Sequence, residues 1–182
     1  MRKALSLLSL VALLGTAPLG AQGRAKSYFI DIRGGFAVPT FGIADIIKPG
    51  GAFGVGFGYQ VDSGVALLAD LDMGYHKQKN ADIDSRTMHA IAKMVWPLLS
   101  PSDQGFEIGV NVGAGIVRFR WSENDATTHF AVNVGAKIVY HINGMFALLI
   151  SPQGDVAFGK ELDPESSSAF VWPFTMGIRV KV

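Results

Sequence analysis

An all-β fold, eight antiparallel strands joined up and down and closed into a transmembrane β-barrel, is what this sequence predicts. Three observations carry the prediction. Apolar residues recur at every second position through eight segments, the stretches between segments alternate short and long, and no apolar run beyond residue 21 approaches the length of a membrane-crossing helix. At 182 residues the chain is one domain's worth of sequence.

The first residues, MRKALSLLSLVALLGTAPLGAQG, place Arg2 and Lys3 before an apolar run from Ala4 to Leu14 and then small residues. That is the layout of a secretory signal peptide, with cleavage expected after Ala21, so residues 1–21 are set apart and 22–182 form the barrel domain. Without Arg2 and Lys3, the 16 basic residues become 14 against 15 acidic ones. No basic field remains that would attract nucleic acid. The absence of Cys excludes a disulfide scaffold, a thiolate metal site and a lipid-modified cysteine anchor.

The strands are predicted at 27–38, 52–60, 65–76, 86–96, 106–121, 129–142, 145–158 and 169–182. The first alternates Tyr28, Ile30 and Ile32 with Asp31 and Arg33, and the second Phe53, Val55, Phe57 and Tyr59 with Gly54, Gly56 and Gly58. The third sets Leu67, Leu71, Met73 and Tyr75 against Asp70, Asp72 and Gly74, and the fourth Met88, Ala90, Met94 and Trp96 against His89 and Lys93. In the fifth, FEIGVNVGAGIVRFRW, Phe106, Ile108, Val110, Val112 and Ile116 alternate with Glu107, Gly109, Asn111 and Gly113. The last three repeat the pattern around Asn133 and Lys137, around Ser151, Gln153 and Asp155, and around Thr175, Gly177 and Arg179. Pro152 and Pro173 interrupt two of them, each removing a ladder donor, and a bulge near Pro152-Gln153-Gly154 is the expected accommodation. Short turns fall at 61–64, 97–105 and 141–144, the last with the hairpin signal Asn143-Gly144; longer connectors fall at 39–51, 77–85, 122–128 and 159–168.

Which row faces outward decides the class of protein. A soluble barrel would turn the apolar row inward and coat its other face with Lys, Glu and Thr, yet that other row is largely Gly with scattered charges of both signs. Charged residues are 17% of the chain, against roughly 25% in soluble proteins, while Gly numbers 22. A crowded eight-stranded lumen, just wide enough for side chains, suits small residues beside a few long charged ones. Aromatic residues also sort by level. Tyr28, Tyr59, Trp96, Phe106, Tyr140 and Phe146 fall at the short-turn end, and Tyr75, Phe130, Phe158, Phe170 and Trp172 at the long-loop end. Two such levels with aliphatic residues between them are expected where a wall crosses two bilayer interfaces.

Leader, eight amphipathic segments and a last strand AFVWPFTMGIRVKV together resemble the small eight-stranded outer-membrane barrels of Gram-negative bacteria, the OmpA, OmpX and OmpW families. The resemblance is one of pattern over the mature chain. It implies an outer-membrane monomer with periplasmic termini, in contact with outer-membrane lipid and lipopolysaccharide and inserted by the barrel assembly machinery. The final residue in those families is usually aromatic; here it is Val182.

Charged side chains are the main material for a site. Asp31, Arg33, Lys93, Glu107, Lys137 and Arg179 lie by strand counting toward the short-turn half of the lumen, where a network of ion pairs is expected because buried charges need partners. Exchange of partners within it would make an ion gate. Asp70, Asp72 and Asp155 count toward the long-loop half, where carboxylates could also bind a divalent cation. Arg118 and Arg120 extend beyond the apolar row of strand five, at the level where guanidinium groups would meet lipopolysaccharide phosphates. His76, His89, His129 and His141 show no local spacing to a Ser that marks a nucleophile and its base, and GVGFG at 54–58 lies within a strand, as lumen glycines do. The expectation is a non-enzymatic structural or surface-interaction barrel without cofactor. The alternatives are a narrow conduit for ions or small hydrophobic molecules, suggested by inward Leu68, Ile91, Val95, Leu149 and Val171, and a lipid-modifying enzyme.

Overall fold

The computed structural model describes residues 27–99, 105–122, 125–159 and 168–182. The predicted leader and its cleavage point, and the centres of the connectors at 97–105, 122–128 and 159–168, lie outside the described residues.

Eight strands follow one another around the barrel: β1 (Ser27–Thr40), β2 (Gly50–Gln60), β3 (Ala66–Lys77), β4 (Asp84–Leu99), β5 (Gly105–Arg120), β6 (Ala126–His141), β7 (Phe146–Phe158) and β8 (Ser168–Lys181). Every neighbour is antiparallel and consecutive in sequence, and β1 closes on β8 from Phe29 opposite Lys181 to Thr40 opposite Phe170. The predicted strand ends differ from these by no more than three residues. β3 alternates covered and exposed at each of its 12 residues, with Asp70 and Asp72 inward and Leu71 and Met73 outward. The same rule holds along β5, whose Phe106, Val112 and Ile116 stand on the outer wall while Glu107, Asn111 and Val117 are buried. From Phe106 to Ile116 the wall rises about 25 Å, taking a strand rise of about 3.3 Å per residue and a tilt of about 40°. That matches the height of a lipid-facing apolar band.

Aromatic rings mark both edges of the band. Tyr28 lies 4.8 Å from Tyr59 and Phe106 lies 4.9 Å from Tyr140 at the end bearing the chain termini; Phe36 stacks on Phe174 at 5.5 Å and Phe130 on Phe158 at 6.3 Å at the loop end.

Three local features depart from the sequence prediction. The bulge expected at Pro152-Gln153-Gly154 does not form: β7 keeps one register against β6 from Phe130–Phe158 to His141–Ala147, and against β8 throughout, with pairs missing only beside the prolines. Omitting a hydrogen bond there disturbs the sheet less than shifting every later side chain to the wrong face. Outside, the Trp172 ring lies over Gly154, where a Cβ would meet it. A register shift occurs instead between Pro97 and Leu99 on β4. The hairpin at Asn143-Gly144 forms, but neither residue has positive φ; the Asn143 side chain accepts hydrogen bonds from the backbone N–H of Met145 (2.9 Å) and Phe146 (2.8 Å). An Asx-type turn thus replaces the left-handed turn that Asn-Gly suggests.

The third is a helical turn, α1 (Ile43–Ile46), within the first long connector. Ile43 and Ile47 are fully buried, packed with Phe119, Val117, Ile91, Val171 and Ala37 beneath the loop end. The segment is tied to the β3–β4 hairpin by Lys48 N–H to Lys77 O (2.8 Å) and Lys79 N–H to Ile46 O (2.9 Å), and by His76 Nδ1 to Lys48 O (2.9 Å). It acts as a strap across the mouth.

Leu71→Arg, in the middle of the outer wall, is expected to destabilise the barrel in lipid vesicles by about 2–4 kcal/mol, the cost of a cation at the bilayer midplane, read by urea titration. A change within about 0.5 kcal/mol would place that face in water.

Candidate functional site

Cross-strand register aligns the inward charges in rows. Arg33, Gly54 and Asp72 stand side by side on β1, β2 and β3, and Asp31, Gly56 and Asp70 form the next row. A Cβ at Gly54 would collide with Asp72 Oδ1 and press on Arg33 Nη2, and one at Gly56 would collide with Asp70 Oδ1. Missing side chains on β2 therefore let β1 and β3 pair over it. Arg33 donates through Nη1 to Asp70 Oδ2 and through Nη2 to Asp72 Oδ1, both at 2.9 Å.

Longer bonds brace the lumen from wall to wall. Lys93 on β4 donates to Asp70 Oδ2 (2.7 Å) and to Gln153 Oε1 on β7, and Gln153 Nε2 returns to Asp72 Oδ2 (3.1 Å). Arg33, Asp70, Lys93, Gln153 and Asp72 thus close a ring of hydrogen bonds. His89 Nδ1 on β4 donates to Asp155 Oδ2 on β7 (2.8 Å), whose other oxygen accepts from Asn133 Nδ2 (2.6 Å), and Asn133 accepts in turn from Asn111 Nδ2 (2.6 Å). Lys137 on β6 reaches Asp31 on β1 (2.8 Å), and Arg179 grips the same carboxylate through Nε (2.8 Å) and Nη2 (3.0 Å), its guanidinium 3.8 Å from the centroid of the Phe29 ring. Nearer the termini His141 Nε2 donates to Glu107 Oε2 at 2.9 Å.

Of the residues singled out by sequence, the structure brings Asp31, Lys137 and Arg179 into one cluster, links Arg33 and Lys93 through Asp70, and pairs Glu107 with His141. One expectation is corrected. Asp70 and Asp72 do not stand apart in the loop half but belong to the central ring with Arg33 and Lys93, because antiparallel register sets them beside the second residue row of β1. Asp70 Oδ2, both Asp72 oxygens and both Asp155 oxygens accept from cationic, imidazole or amide donors. Among the described residues no group of three or more His, Asp or Glu is disposed to hold a metal ion. Sequence reading missed Gln153 as a brace and His89 as a partner of Asp155. Both stand in the inward row, but which strand each faces follows only from closure.

Apolar side chains cap the braced layer on both sides. Phe29, Ala66, Leu68 and Val95 pack together toward the termini, as do Val139, Ala147 and Leu149, and the strap cluster covers the loop side. The inward residues of the conduit alternative are therefore distributed: Leu68, Val95 and Leu149 below, Ile91 and Val171 above. The buried His76 and Thr87 touch at 3.4 Å under the strap, where the other ring nitrogen of His76 is bonded to Lys48 O.

On the outer wall, Arg118 and Arg120 are exposed at the loop end of β5, and a third arginine, Arg86 on β4, stands directly across the ladder from Arg120. The three line a groove of about 280 Å³ together with Met73, Gly74, Tyr75, Thr87 and Met88.

No protein-family model and no curated protein sequence matches the chain. Solved structures do. The crystal structure of neisserial surface protein A (NspA) aligns over 87% of this chain and 100% of its own, with a TM-score of 0.67 at 12% identity. The chain has the fold of an outer-membrane barrel. A major outer membrane protein from Thermus thermophilus aligns over 87% and 100%, with a TM-score of 0.59 at 10% identity. The N-terminal β-barrel domain of Pseudomonas aeruginosa OprF covers 88% and 100%, with a TM-score of 0.52 at 11% identity. The closed, all-antiparallel, eight-stranded topology is common ground.

Gly54→Val forces a branched side chain into the Arg33–Asp72 contact and is expected to lower stability by about 3–5 kcal/mol, the cost of breaking a buried pair, in urea unfolding of the detergent-folded barrel. Gly51→Val on the outer face, where a Cβ meets nothing within 4 Å, is the control and should change it by less than about 0.5 kcal/mol.

Proposed function

We propose that this chain is a non-catalytic barrel of the bacterial outer membrane, with a cleaved leader and periplasmic termini, whose work is done on its loop end and outer wall and not through its lumen. The carrying observation is the wall-to-wall bracing: Lys137 to Asp31, Lys93 to Gln153 and His89 to Asp155 cross the interior in three places. Across this layer Arg33 meets Asp70 and Asp72, Lys93 meets Asp70, Lys137 and Arg179 meet Asp31, and His89 meets Asp155, so that four Lys and Arg cations stand among four carboxylates. Such a layer has no excess field to draw ions through, and separating any pair inside a narrow lumen carries a desolvation penalty. Apolar molecules meet the same barrier, since the two greasy zones are divided by the charged one. The strap then covers the mouth with Ile43 and Ile47.

The reading as a non-enzyme is supported by the setting of the hydroxyl–imidazole contact. His76 and Thr87 are sealed beneath the strap, and the ring holds Lys48 O in place instead of facing a substrate. The short periplasmic turns and longer external connectors leave the strap, the β3–β4 hairpin and the aromatic wall as the presented surface.

Purified barrel that shows a heat-dependent shift in gel mobility should give no conductance steps in planar bilayers. Regular steps from protein with that shift would overturn the closed-lumen reading and put partner exchange among Arg33, Lys93 and Lys137 in its place.

A further inference from the structure

The strap enters the mouth through a residue in an unusual conformation. Phe41, where the chain leaves β1, holds φ at 60°, the only non-glycine residue with positive φ among the described residues. That left-handed region is sterically disfavoured for a bulky side chain and is the ordinary place for Gly or Asn. We propose that Phe41 is an anchor in the outer bilayer interface and that it makes the strap a membrane-dependent lid, closed where the interface reaches the rim and released where it does not. The inference rests on the membrane reading above and adds to it what the loop end responds to.

Direction is the first argument. The bend folds the chain over the rim, so that Phe41 is 69% exposed while Ile43, two residues on, is fully buried in the mouth. Gly42 between them already has helical angles, and Phe41 O accepts from Ala44 N–H (2.8 Å), which couples the ring outside to the turn inside. A strained residue persists where its surroundings over-determine it. The Phe170 ring, 4.8 Å away, covers one side of Phe41 only, and the interface supplies the rest. Level is the second argument. Thr40, paired with Phe170 and accepting a hydrogen bond from Trp172 Nε1 (3.1 Å), ends β1. By strand rise and tilt it stands about 30 Å above Tyr28, about 5 Å past an apolar band about 25 Å tall. Aromatic side chains settle at that depth.

The third argument is how the strap is held. Its helical turn has no side-chain cap, and one turn does not sustain itself, so its place is set from its two ends. The far end is fixed: Lys48 N–H and Lys79 N–H bond to Lys77 O and Ile46 O, His76 Nδ1 donates to Lys48 O, and at Gly50 a Cβ would collide with Tyr75 O, which shows how closely the chain approaches β3 there. The near end depends on Phe41. Its release lifts Ile43 and Ile47 off Ile91, Val117, Phe119 and Val171 and opens an apolar recess at the loop end. The braced layer keeps the floor of that recess shut, so the lid changes what the barrel presents outside without making a pore.

The test follows backbone amide exchange by NMR in the barrel in lipid nanodiscs, its fold checked by heat-dependent gel mobility. Dimyristoyl phosphatidylcholine supplies a bilayer that matches the wall, and dilauroyl phosphatidylcholine a thinner one. Lys48 and Lys79 report the strap, and Ile142, whose N–H bonds to Phe146 O in a turn at the opposite end (3.0 Å), is the control. In the thinner bilayer the interface withdraws below Phe41, and wild type is expected to exchange about fivefold faster at Lys48 and Lys79 with Ile142 unchanged. Phe41→Gly removes the ring and the steric strain together and should show about the same acceleration already in the thicker bilayer, with little further response to thickness. Phe41→Trp keeps an interface anchor on the same backbone and should stay within about twofold of wild type. Unchanged or slower exchange in folded Phe41→Gly, or no effect of thickness on wild type, would each overturn the proposal; the wild-type comparison stands even if the glycine variant does not fold. A chain that enters neither nanodisc would overturn the membrane reading and the lid together, whereas incorporation with thickness-independent exchange would overturn the lid alone.

Discussion

A strand that lies against hydrocarbon has nowhere to place an unpaired N–H or C=O, and the rest of this architecture follows from that constraint. Pairing β1 with β8 removes the last open edge. Once eight strands close, the girth is set and the interior is only as wide as opposed side chains. The inward row must then be small where its neighbours are large, which is why Gly54 and Gly56 lie between Arg33 and Asp72 and between Asp31 and Asp70. A larger barrel could have hydrated these charges; this one has room only to pair them.

Bracing and capping divide the labour of closing the lumen. Hydrogen bonds between opposite walls fix the middle layer, where each carboxylate accepts from two or more donors. Apolar packing fills the ends, with the strap contributing Ile43 and Ile47 at the loop side. Each device suits its place: ion pairs bridge a gap that aliphatic side chains could fill only by overpacking, while the strap covers a mouth that strands leave open. The prolines of β7 and β8 fit the same economy. Their missing donors cost single ladder bonds, and the register that aligns Gln153 and Asp155 with their partners across the lumen is kept.

With the interior occupied, chemistry that varies around the barrel is left to the outside. The wall is aliphatic through its middle and aromatic at both edges, but its loop edge is uneven, with paired rings on β1, β8, β6 and β7 and arginines on β4 and β5. A uniform bilayer would not demand that asymmetry.

The period-two pattern of residues such as Phe106, Ile108 and Val110 against Glu107, Gly109 and Asn111 determined the strands, their ends to within three residues, and the face turned to lipid, because side-chain direction alternates along any extended chain whatever its neighbours. Arg118 and Arg120 were legible as outward residues at the loop end of β5 for the same reason. Arg86 was not, since its proximity depends on the β4–β5 register. Nor were Gln153 and His89 as braces, the union of Asp70 and Asp72 with Arg33, or the single register through Pro152: these join strands far apart in sequence, and only closure sets which inward residues oppose each other. The strap was hidden differently. Ile43, Ile46 and Ile47 carry helical spacing, but one turn is too short to stand out, and its burial was decided by the mouth it covers.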